Sequence, residues 1–335
     1  NRSELIEVAT FRSGNNGFNN GNLVTDQSGK IIRDNVWGTL EEDTYRRDFT
    51  INALYYCPIT GKIEDHNKGL KHIHNKEIVS IGDPDLRFEE DPVRSLRAIR
   101  FCTKLNFKIN NNIKEAIYKK GHLLSSVSNA RLFDEFCKIF LNGMAEKNFN
   151  KLVSFGLNKY LVSTNLNGCE FSNQLIIEAL RNTDNRIKNN QSVTPGFLIA
   201  ALLWPQLIKK SLKGNEINLK KFFRSMDSIL RNQQKITAIP RKFHTYIKDI
   251  WVLQLKLHSR IGRQPYKTLK HPRFRAAYDF LLVREKAAAK TKDLGFWWTE
   301  FQKNNEDLKK KLINDMKKNN LEESSKIFGF SKELR

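Results

Sequence analysis

The densest group of reactive side chains lies at residues 46–54, which read Arg-Arg-Asp-Phe-Thr-Ile-Asn-Ala-Leu. Arginine guanidinium groups match the geometry of phosphate oxygens, and a carboxylate such as Asp48 can hold Mg²⁺. This run therefore suits a triphosphate and its metal ion. The spacing alone favours a simpler interpretation, in which Asp48 caps a helix that begins at Phe49.

A second group lies at residues 90–101, where Glu-Asp-Pro precedes three arginines spaced three residues apart. Proline directly after Asp91 is a helix-start signal. Arg94, Arg97 and Arg100 then begin on one face of the helix and drift slowly around it. Such a stripe usually faces solvent. Here, however, Asp91 offers an acceptor and Arg94 a donor, a pair that can read the edge of a base.

A third group sets Arg131 three and four residues before Asp134 and Glu135. Opposite charges at these spacings are neighbours on a helix surface and pair with each other. We interpret this group as a structural ion pair that braces a helix.

The elements that must position these groups change in character along the chain. Residues 4–12 are rich in β-branched residues and predict a strand, residues 57–80 predict a hairpin, and residues 49–56 fit either a helix or a strand. We interpret the triplet Asp83-Pro84-Asp85 as a turn. Apolar residues then recur about every 3.6 positions, so the remainder is predicted to be mainly helical. The predicted helices span residues 92–104, 111–119, 129–142, 147–155, 172–182, 195–209, 219–230, 241–258, 273–290 and 293–317.

Composition limits the class of protein. The chain has 335 residues, of which 39% are hydrophobic and 28% charged, so it can build cores and is not globally disordered. It contains no apolar run long enough for a transmembrane helix, and no membrane partner is expected. Its four cysteines form no C-x-x-C pair, which argues against a zinc ribbon. They fit a reducing compartment, so a cytoplasmic location is expected.

Charge is distributed unevenly along the chain. The formal net charge is +22, yet residues 1–180 carry 24 basic and 22 acidic side chains. Residues 181–335 carry 34 basic and 14 acidic side chains. An excess of this size predicts a polyanionic partner, most simply nucleic acid. The nearly neutral half could contain the catalytic site, and the basic half could bind the phosphate backbone of a nucleic acid.

Together the three groups resemble motifs B, D and E of the class II nucleotidyltransferases, the family of tRNA CCA-adding enzymes and bacterial poly(A) polymerases. Residues 46–54 match motif B, residues 90–94 match motif D, and the Arg131 group resembles motif E. Segments 245–258 and 271–281 are more similar to the poly(A) polymerase branch. CCA-adding enzymes lack the second of these segments.

The resemblance implies an α+β fold, with a partial mixed-sheet nucleotidyltransferase head followed by a mostly all-α neck, body and tail. The head is expected at residues 1–80, the helical neck with the nucleotide-reading motif at 81–160, and the basic, RNA-binding body and tail at 161–335. The implied function is template-independent addition of AMP from ATP to RNA 3′ ends, including those of mRNA. Two Mg²⁺ ions would support the transfer in the complete enzyme.

The resemblance also assigns catalytic roles. Asp48 is expected to be an active-site carboxylate and a metal ligand, which replaces its interpretation as a simple cap. Glu7, on the predicted strand, is a second candidate, and it fits an exposed strand residue equally well.

Nucleotide binding is expected from residues of motifs B and D. They are Arg47, Asn52, Asp91, Arg94, Arg97 and Arg100. Arg47 would meet the triphosphate or ribose, while Asp91 and Arg94 would select ATP by its base. Asn52 could equally well be an ordinary polar residue of a helix. Of the two arginines Arg97 and Arg100, Arg100 is the one for which a structural role is favoured.

One part of the family's motif pattern is absent from this sequence. The family begins with a Gly-Gly-x-Val-Arg-Asp loop and an Asp-x-Asp pair on a strand, and neither precedes Glu7. The triplet Asp83-Pro84-Asp85 lies just before motif D, with proline in its middle, and does not replace them. We therefore expect the sequence to lack the N-terminal part of a larger gene product and to catalyse little or nothing as it stands.

The basic half is expected to hold the RNA primer through phosphate contacts that are independent of sequence and sensitive to salt. Trp251 and Tyr266 are candidates for stacking on unpaired bases, while core packing is favoured for Trp297 and Trp298. The candidate RNA-binding residues are Lys220, Lys221, Arg241, Lys242, Arg260, Arg263, Lys267 and Lys270.

Two alternative functions stay open. A CCA-adding enzyme would use both CTP and ATP on tRNA, and segment 271–281 argues against it. A non-catalytic RNA-binding protein would fit if the native chain lacks the Asp-x-Asp pair. Intact motifs B and D argue against that second alternative, because a protein that only binds RNA needs no nucleotide pocket.

Overall fold

The computed structural model describes residues 6, 8–12, 24–25, 31–33, 37–163, 170–214, 216–287, 291 and 293–318. The chain divides into two compact units, residues 1–124 and 125–335. This division falls inside the predicted neck, so the arrangement of head, neck and body stays a prediction. Among the described helices, none combines the length and apolar character needed to cross a membrane.

The strands of the first unit are short and associate in pairs. They are β1 (Val24–Thr25), β2 (Ile31–Arg33), β3 (Tyr55–Cys57), β4 (Lys62–Glu64), β5 (Glu77–Ile78) and β6 (Lys108–Ile109). β1 pairs with β2 and β3 with β4 in antiparallel fashion, while β5 and β6 are parallel. The predicted strand at residues 4–12 lies partly outside the described residues. Within them, Arg12 forms a single antiparallel bridge with Trp37.

The helices described in the first unit are α1 (Leu40–Tyr45), α2 (Gly69–His74), α3 (Pro84–Glu90), α4 (Val93–Leu105) and α5 (Asn111–Lys120). The last two confirm the predicted helices, whereas the first three were not predicted. The predicted hairpin is formed only by β3 and β4, because α2 occupies its second part. The interpretation of residues 83–85 as a turn is wrong, since they open α3. Asp83 accepts a hydrogen bond from the Asp85 amide at 3.1 Å, and Pro84 takes the first helical position, where no N–H is needed.

Helix α1 begins with a reciprocal cap. The Thr39 hydroxyl accepts from the Glu42 amide at 3.2 Å, and the Glu42 carboxylate accepts from the Thr39 amide at 2.7 Å. The cap fixes where this six-residue helix begins. As a result Asp43 and Thr44, at 2% and 0% exposure, face into the unit.

A close approach between two backbones positions the chain just after Asp48. Helix α2 packs on the 3-10 turn Thr50–Asn52, and a Cβ added at Gly69 would lie 2.5 Å from the Thr50 carbonyl oxygen. Only glycine permits this contact. Beside it, Phe49, Ala53, Ile78, Phe88, Leu96 and Ile99 form a fully buried apolar core. The turn that follows Asp48 is therefore fixed from both sides.

The second unit is built almost entirely of helices in its described part. They are α6 (Asn129–Phe140), α7 (Ala145–Ser154), α8 (Glu170–Lys188), α9 (Pro195–Ser211), α10 (Leu219–Gln234), α11 (Arg241–Leu257), α12 (Gln264–Leu269), α13 (Phe274–Lys286), α14 (Leu294–Lys303) and α15 (Glu306–Lys318). A small antiparallel pair, β7 (Leu212–Lys213) and β8 (Glu216–Ile217), follows α9. Short paired strands and many helices confirm the α+β class.

Two details of the helical prediction need correction. Helix α12 was missed because it is only six residues long and has Pro265 as its second residue. The predicted helix at 293–317 is two helices, α14 and α15. It breaks because the Asn305 side chain accepts from the Leu308 amide at 3.1 Å and caps α15.

Aromatic side chains form the core at the C-terminal end of the second unit. Trp298 is fully buried, its Nε1 donates to the Leu257 carbonyl at 2.9 Å, and Trp297 is 6% exposed. Core packing of both tryptophans is thus confirmed. The stacking role expected of Trp251 is wrong, because this ring is also fully buried and its Nε1 donates to the Ala200 carbonyl at 2.9 Å. Tyr266 packs edge-on against another core ring and is half-buried.

Candidate active site

Asp43, on the inner side of α1, is the centre of a charged network in the first unit. Its Oδ1 accepts from Arg46 Nε at 2.7 Å, and its Oδ2 accepts from Arg47 Nη2 at 2.7 Å. The Tyr55 hydroxyl donates to the same Oδ2 and accepts from Arg47 Nη2 at 2.9 Å. One buried carboxylate thus aligns two adjacent arginines and a phenol.

Electrostatics keep this carboxylate charged. Burial raises the pKa of Asp43, but hydrogen bonds from Tyr55, Arg46 and Arg47 outweigh burial and hold the pKa well below its usual range. Arg47 remains 43% exposed in its side chain despite these contacts. Its guanidinium is therefore oriented by the protein and still accessible to a ligand.

Arg87, on α3, fastens the backbone of the arginine pair. Its Nη2 donates to the carbonyl oxygens of Arg46 at 2.8 Å and of Arg47 at 2.7 Å, and its Nη1 donates to Glu90 at 2.6 Å. The side chain is only 12% exposed. Burial lowers the pKa of Arg87, and the neighbouring positive charge of Arg94 adds to this effect. Arg94 Nη1 in turn donates to Glu90 at 3.0 Å and to the Arg87 carbonyl at 2.9 Å.

Asp48 joins the motif B turn to α4. Its Oδ2 accepts from Arg97 Nε at 2.5 Å, while its Oδ1 accepts from the Phe49 amide at 2.8 Å and from Asn52 Nδ2 at 2.9 Å. The side chain of Asp48 is 7% exposed and that of Arg97 is 31% exposed. Asp48 therefore orients Arg97 and closes a 3-10 turn, where the spacing alone had predicted a helix beginning at Phe49.

The described residues do not form a metal site. In that part of the chain, no three side chains of His, Cys, Asp or Glu type lie close enough together to hold a metal ion. Both oxygens of Asp48 already accept hydrogen bonds, and one of them faces the positive charge of Arg97. Oδ2 accepts only this one hydrogen bond and keeps a further lone pair, so the metal role of Asp48 stays a prediction.

The other predicted site residues are placed as follows. Asn52 donates to Asp48, and the Asp91 carboxylate accepts from the Val93 amide at 3.2 Å, next to the start of α4. The Arg100 guanidinium lies 4.7 Å from the centroid of the Phe101 ring, and its role stays a prediction. Glu7 lies outside the described residues.

The third sequence group lies in the second unit. Arg131 is in the first turn of α6 and is exposed. The ion pair found on this helix joins the buried Glu135 to Lys138 at 2.8 Å. Lys138 is thus a partner of Glu135 on this helix, and the pairing expected of Arg131 stays a prediction.

Most of the predicted RNA-binding residues are exposed in the second unit. Lys220 and Lys221 lie in the first turn of α10, Arg241 and Lys242 in the first turn of α11, and Arg263, Lys267 and Lys270 on and beside α12. Arg260 differs from the others. Its guanidinium lies 5.9 Å from the Trp297 ring centroid, and burial lowers its pKa, so it packs against the aromatic core.

Three residues of the network were not singled out from the sequence, namely Asp43, Tyr55 and Arg87. The spacing of Asp43 from Arg46 and Arg47, three and four residues, is the helical pairing distance and was an available signal. Arg87 bonds carbonyl groups 40 and 41 residues away, so no local pattern reveals it.

Three family models match the chain. Residues 1–79 match the poly A polymerase head domain, residues 106–164 a probable RNA- and SrmB-binding site of polymerase A, and residues 215–327 the arginine-rich C-terminus of polymerase A. Together they cover motif B and most of the basic half of the chain. Motif D lies between the first two matched segments.

Known proteins agree with these matches. Poly(A) polymerase I of Salmonella typhi is 37% identical over 326 residues, which are 93% of this chain and 70% of that protein. The CCA-adding enzyme of Bacillus pumilus is 28% identical over 265 residues, 75% of this chain and 65% of that enzyme. The solved structure of a CCA-adding enzyme in apo form II shares the fold with a TM-score of 0.57 at 20% identity, and covers 92% of this chain and 70% of that structure. The chain carries the family motifs and the arginine network, and it is 37% identical to a poly(A) polymerase I over nearly its whole length. It therefore belongs to the poly(A) polymerase I family of nucleotidyltransferases.

Proposed function

We propose that the protein adds AMP from ATP to RNA 3′ ends without a template. The observation that carries this proposal is the network around Asp43, Asp48 and Glu90. It gathers five arginines, Arg46, Arg47, Arg87, Arg94 and Arg97, against three carboxylates. An excess of oriented guanidinium groups suits a triphosphate, whose transfer depends mainly on positioning and on charge stabilisation.

Within this proposal each arginine has a different role. Arg47, oriented by Asp43 and still exposed, meets the triphosphate. Arg97, oriented by Asp48, contacts the nucleotide from α4. Asp91 and Arg94 stand at the start of the same helix and select adenine by its edge, while Glu90 and Arg87 set the position of Arg94.

The RNA partner is part of the same proposal. The exposed cations of α10, α11 and α12 hold the RNA backbone, including that of mRNA, in a salt-sensitive manner. The segment at 106–164, with its match to a probable RNA-binding site, supports RNA as the substrate. Such a reaction belongs in the cytoplasm, where ATP and transcripts are both present.

Magnesium is the ion that the family likeness implies for this chemistry. The described residues alone do not form a site for this ion. The chain's own residues bind and orient the nucleotide. Within this proposal, Asp48 positions the guanidinium of Arg97.

Primer extension tests the proposed function. The full-length gene product is supplied with Mg²⁺, a single nucleoside triphosphate and either an unstructured RNA oligonucleotide or a tRNA that lacks its CCA end. Long tails from ATP on the oligonucleotide are expected, with little incorporation from CTP. Incorporation limited to C, C and A on the tRNA would move the protein to the CCA-adding branch. RNA binding without incorporation on either primer would instead support a non-catalytic RNA-binding protein.

Arg87→Lys is expected to raise the KM for ATP about tenfold, equivalent to about 1.4 kcal/mol of binding free energy. Lysine keeps the charge but cannot hold both carbonyl groups and Glu90 together, so Arg46 and Arg47 lose their fixed backbone. Initial rates over a range of ATP concentrations separate KM from kcat. Lys71→Arg, at an exposed position on α2, is the matched control. An unchanged KM in Arg87→Lys would show that the bonds of Arg87 do not position the arginine pair.

A further inference from the structure

A cavity in the second unit contains chemistry that the proposed function has not used. Its volume is about 220 Å³, and it opens to solvent where the end of α8, the start of α9, α11 and the start of α13 meet. Its charged and polar lining includes Arg186, Tyr246, Arg273, Arg275 and Asp279. None of these residues is among the RNA-binding residues predicted from the sequence. Pockets that enclose drug-sized molecules have volumes of roughly 300–1,000 Å³, so a ligand as large as a nucleotide would be only partly enclosed here.

One carboxylate in the cavity holds two arginines in place. Asp279 is 13% exposed, and it accepts from Arg186 Nη1 at 3.2 Å and from Arg275 Nε at 3.1 Å. The Arg275 side chain is 72% exposed, so most of its guanidinium fork is available. With Arg273, three positive charges line the cavity against one negative charge. Such a group is suited to a phosphate, which a guanidinium fork binds through two parallel hydrogen bonds.

A flat platform lies in the same cavity. The Arg273 guanidinium carbon is 4.9 Å from the centroid of the Tyr246 ring. The ring is supported by Gly196 in the first turn of α9, where an added Cβ would lie 2.9 Å from Tyr246 Cδ1. Guanidinium planes and aromatic rings both stack on unpaired nucleic acid bases. The glycine therefore lets the ring lie close to α9 and hold the platform in place.

An acceptor in the lining has no partner within the described residues. Asn182 lines the cavity, and its Oδ1 is buried without a hydrogen bond. Leaving a buried acceptor unsatisfied is costly, and such groups are usually satisfied by protein, water or a ligand. Because Oδ1 is closed to solvent, it lies beneath the cavity surface, and the ligand contacts are those of the arginines and the platform.

We propose that the cavity takes one unpaired nucleotide of the RNA, with its phosphate on Arg186 and Arg275 and its base on the platform of Tyr246 and Arg273. The proposal rests on the proposed function in that it takes RNA as the substrate. It adds a defined contact in the second unit, in a stretch that includes residues outside all three family matches, such as Arg186 and Gly196. A free nucleoside triphosphate offers the same phosphate and base, so the test must separate the two sources.

The test compares two variants of the full-length protein with a matched control. Arg275→Gln removes the exposed phosphate contact, and Tyr246→Leu removes the support of the platform. Lys286→Gln, at an exposed lysine of α13 outside the cavity lining, is the control. Binding of a fluorescent oligo(A) and, separately, of ATP is measured over a series of salt concentrations. Because Arg275 is exposed, its variant keeps the test valid even if Tyr246→Leu fails to fold.

Arg275→Gln is expected to weaken oligo(A) binding about three- to tenfold and to reduce the slope of its salt dependence by about one. Tyr246→Leu is expected to weaken oligo(A) binding about tenfold with little change in slope. ATP affinity should match the control in both. Oligo(A) affinities equal to the control would overturn the proposal, and so would a loss confined to ATP. AMP incorporation by the wild-type protein is measured separately. If the wild-type protein incorporates no AMP but the variants lose oligo(A) binding, the polymerase function would be overturned. The assignment of the cavity as an RNA-binding site would then still stand.

Discussion

Arg97→Met is expected to lower the free energy of unfolding of the first unit by about 2 kcal/mol. The substitution leaves Asp48, at 7% exposure, as a buried carboxylate without its cationic partner. Removal of one member of a buried ion pair usually costs more, and the smaller value allows for the 31% exposure of Arg97. The same change removes a guanidinium from the proposed nucleotide site, so we also expect kcat/KM for ATP to fall by at least about thirtyfold.

Urea denaturation and initial rates of AMP incorporation measure these two effects separately. Lys104→Met, an exposed position on the same helix, controls for the loss of a cation from α4. The double variant Asp48→Asn/Arg97→Met removes both charges and should regain part of the lost stability. Activity should stay low in the double variant, because the guanidinium is still absent. Recovery of activity together with stability would show that Arg97 acts only as a structural partner of Asp48.

Asp43→Asn is expected to lower the free energy of unfolding by about 3 kcal/mol and to reduce AMP incorporation strongly. Asp43 is 2% exposed and accepts from Arg46, Arg47 and Tyr55. An asparagine has no charge and can accept through only one side-chain atom, so the two arginines lose their common anchor. Glu41→Gln, exposed on the same short helix, is the matched control.

The pH dependence gives a second readout for Asp43. Its pKa in the folded protein is held well below its usual range, mainly because hydrogen bonds from Tyr55 and the arginines outweigh burial. A group with a depressed folded pKa stabilises the protein fully above its unfolded pKa of about 3.9, and this contribution is lost as the pH falls below that value. Urea titrations between pH 7 and pH 3 should therefore show a steeper loss of stability in wild type than in Asp43→Asn. Parallel curves would mean that Asp43 is not held as an ionised anchor.

Local patterns in the sequence were sufficient for much of the fold. Helix α4 and helix α5 were predicted within about two residues, because apolar periodicity and capping act over one or two turns. Helix α3 was missed although Asp83 and Pro84 form an ordinary helix start. The interpretation as a turn gave too much weight to the proline and too little to its position at the first helical residue.

The partners of the charged groups were less predictable. The spacing of Arg131 from Glu135 suggested a helical ion pair, but the pair between Glu135 and Lys138 was not predicted. One spacing in the sequence is compatible with several rotamers and several neighbouring residues. Which residue becomes the ion-pair partner therefore depends on which side of the helix is buried. Trp251 gives the same lesson, because its burial against Ala200 depends on how α9 and α11 pack.

The sequence by itself determined the chemistry of this protein: the order Arg-Arg-Asp in motif B, the acidic and arginine run of motif D, and the basic second half are properties of the chain alone. Only the tertiary structure decided which carboxylate orients which arginine. Asp48 meets Arg97 across 49 residues, and Arg87 reaches the backbone of Arg46 across 41. Contacts of this kind form only when separate helices pack, because their geometry is set by the apolar core beneath them and not by the residues adjacent in the chain.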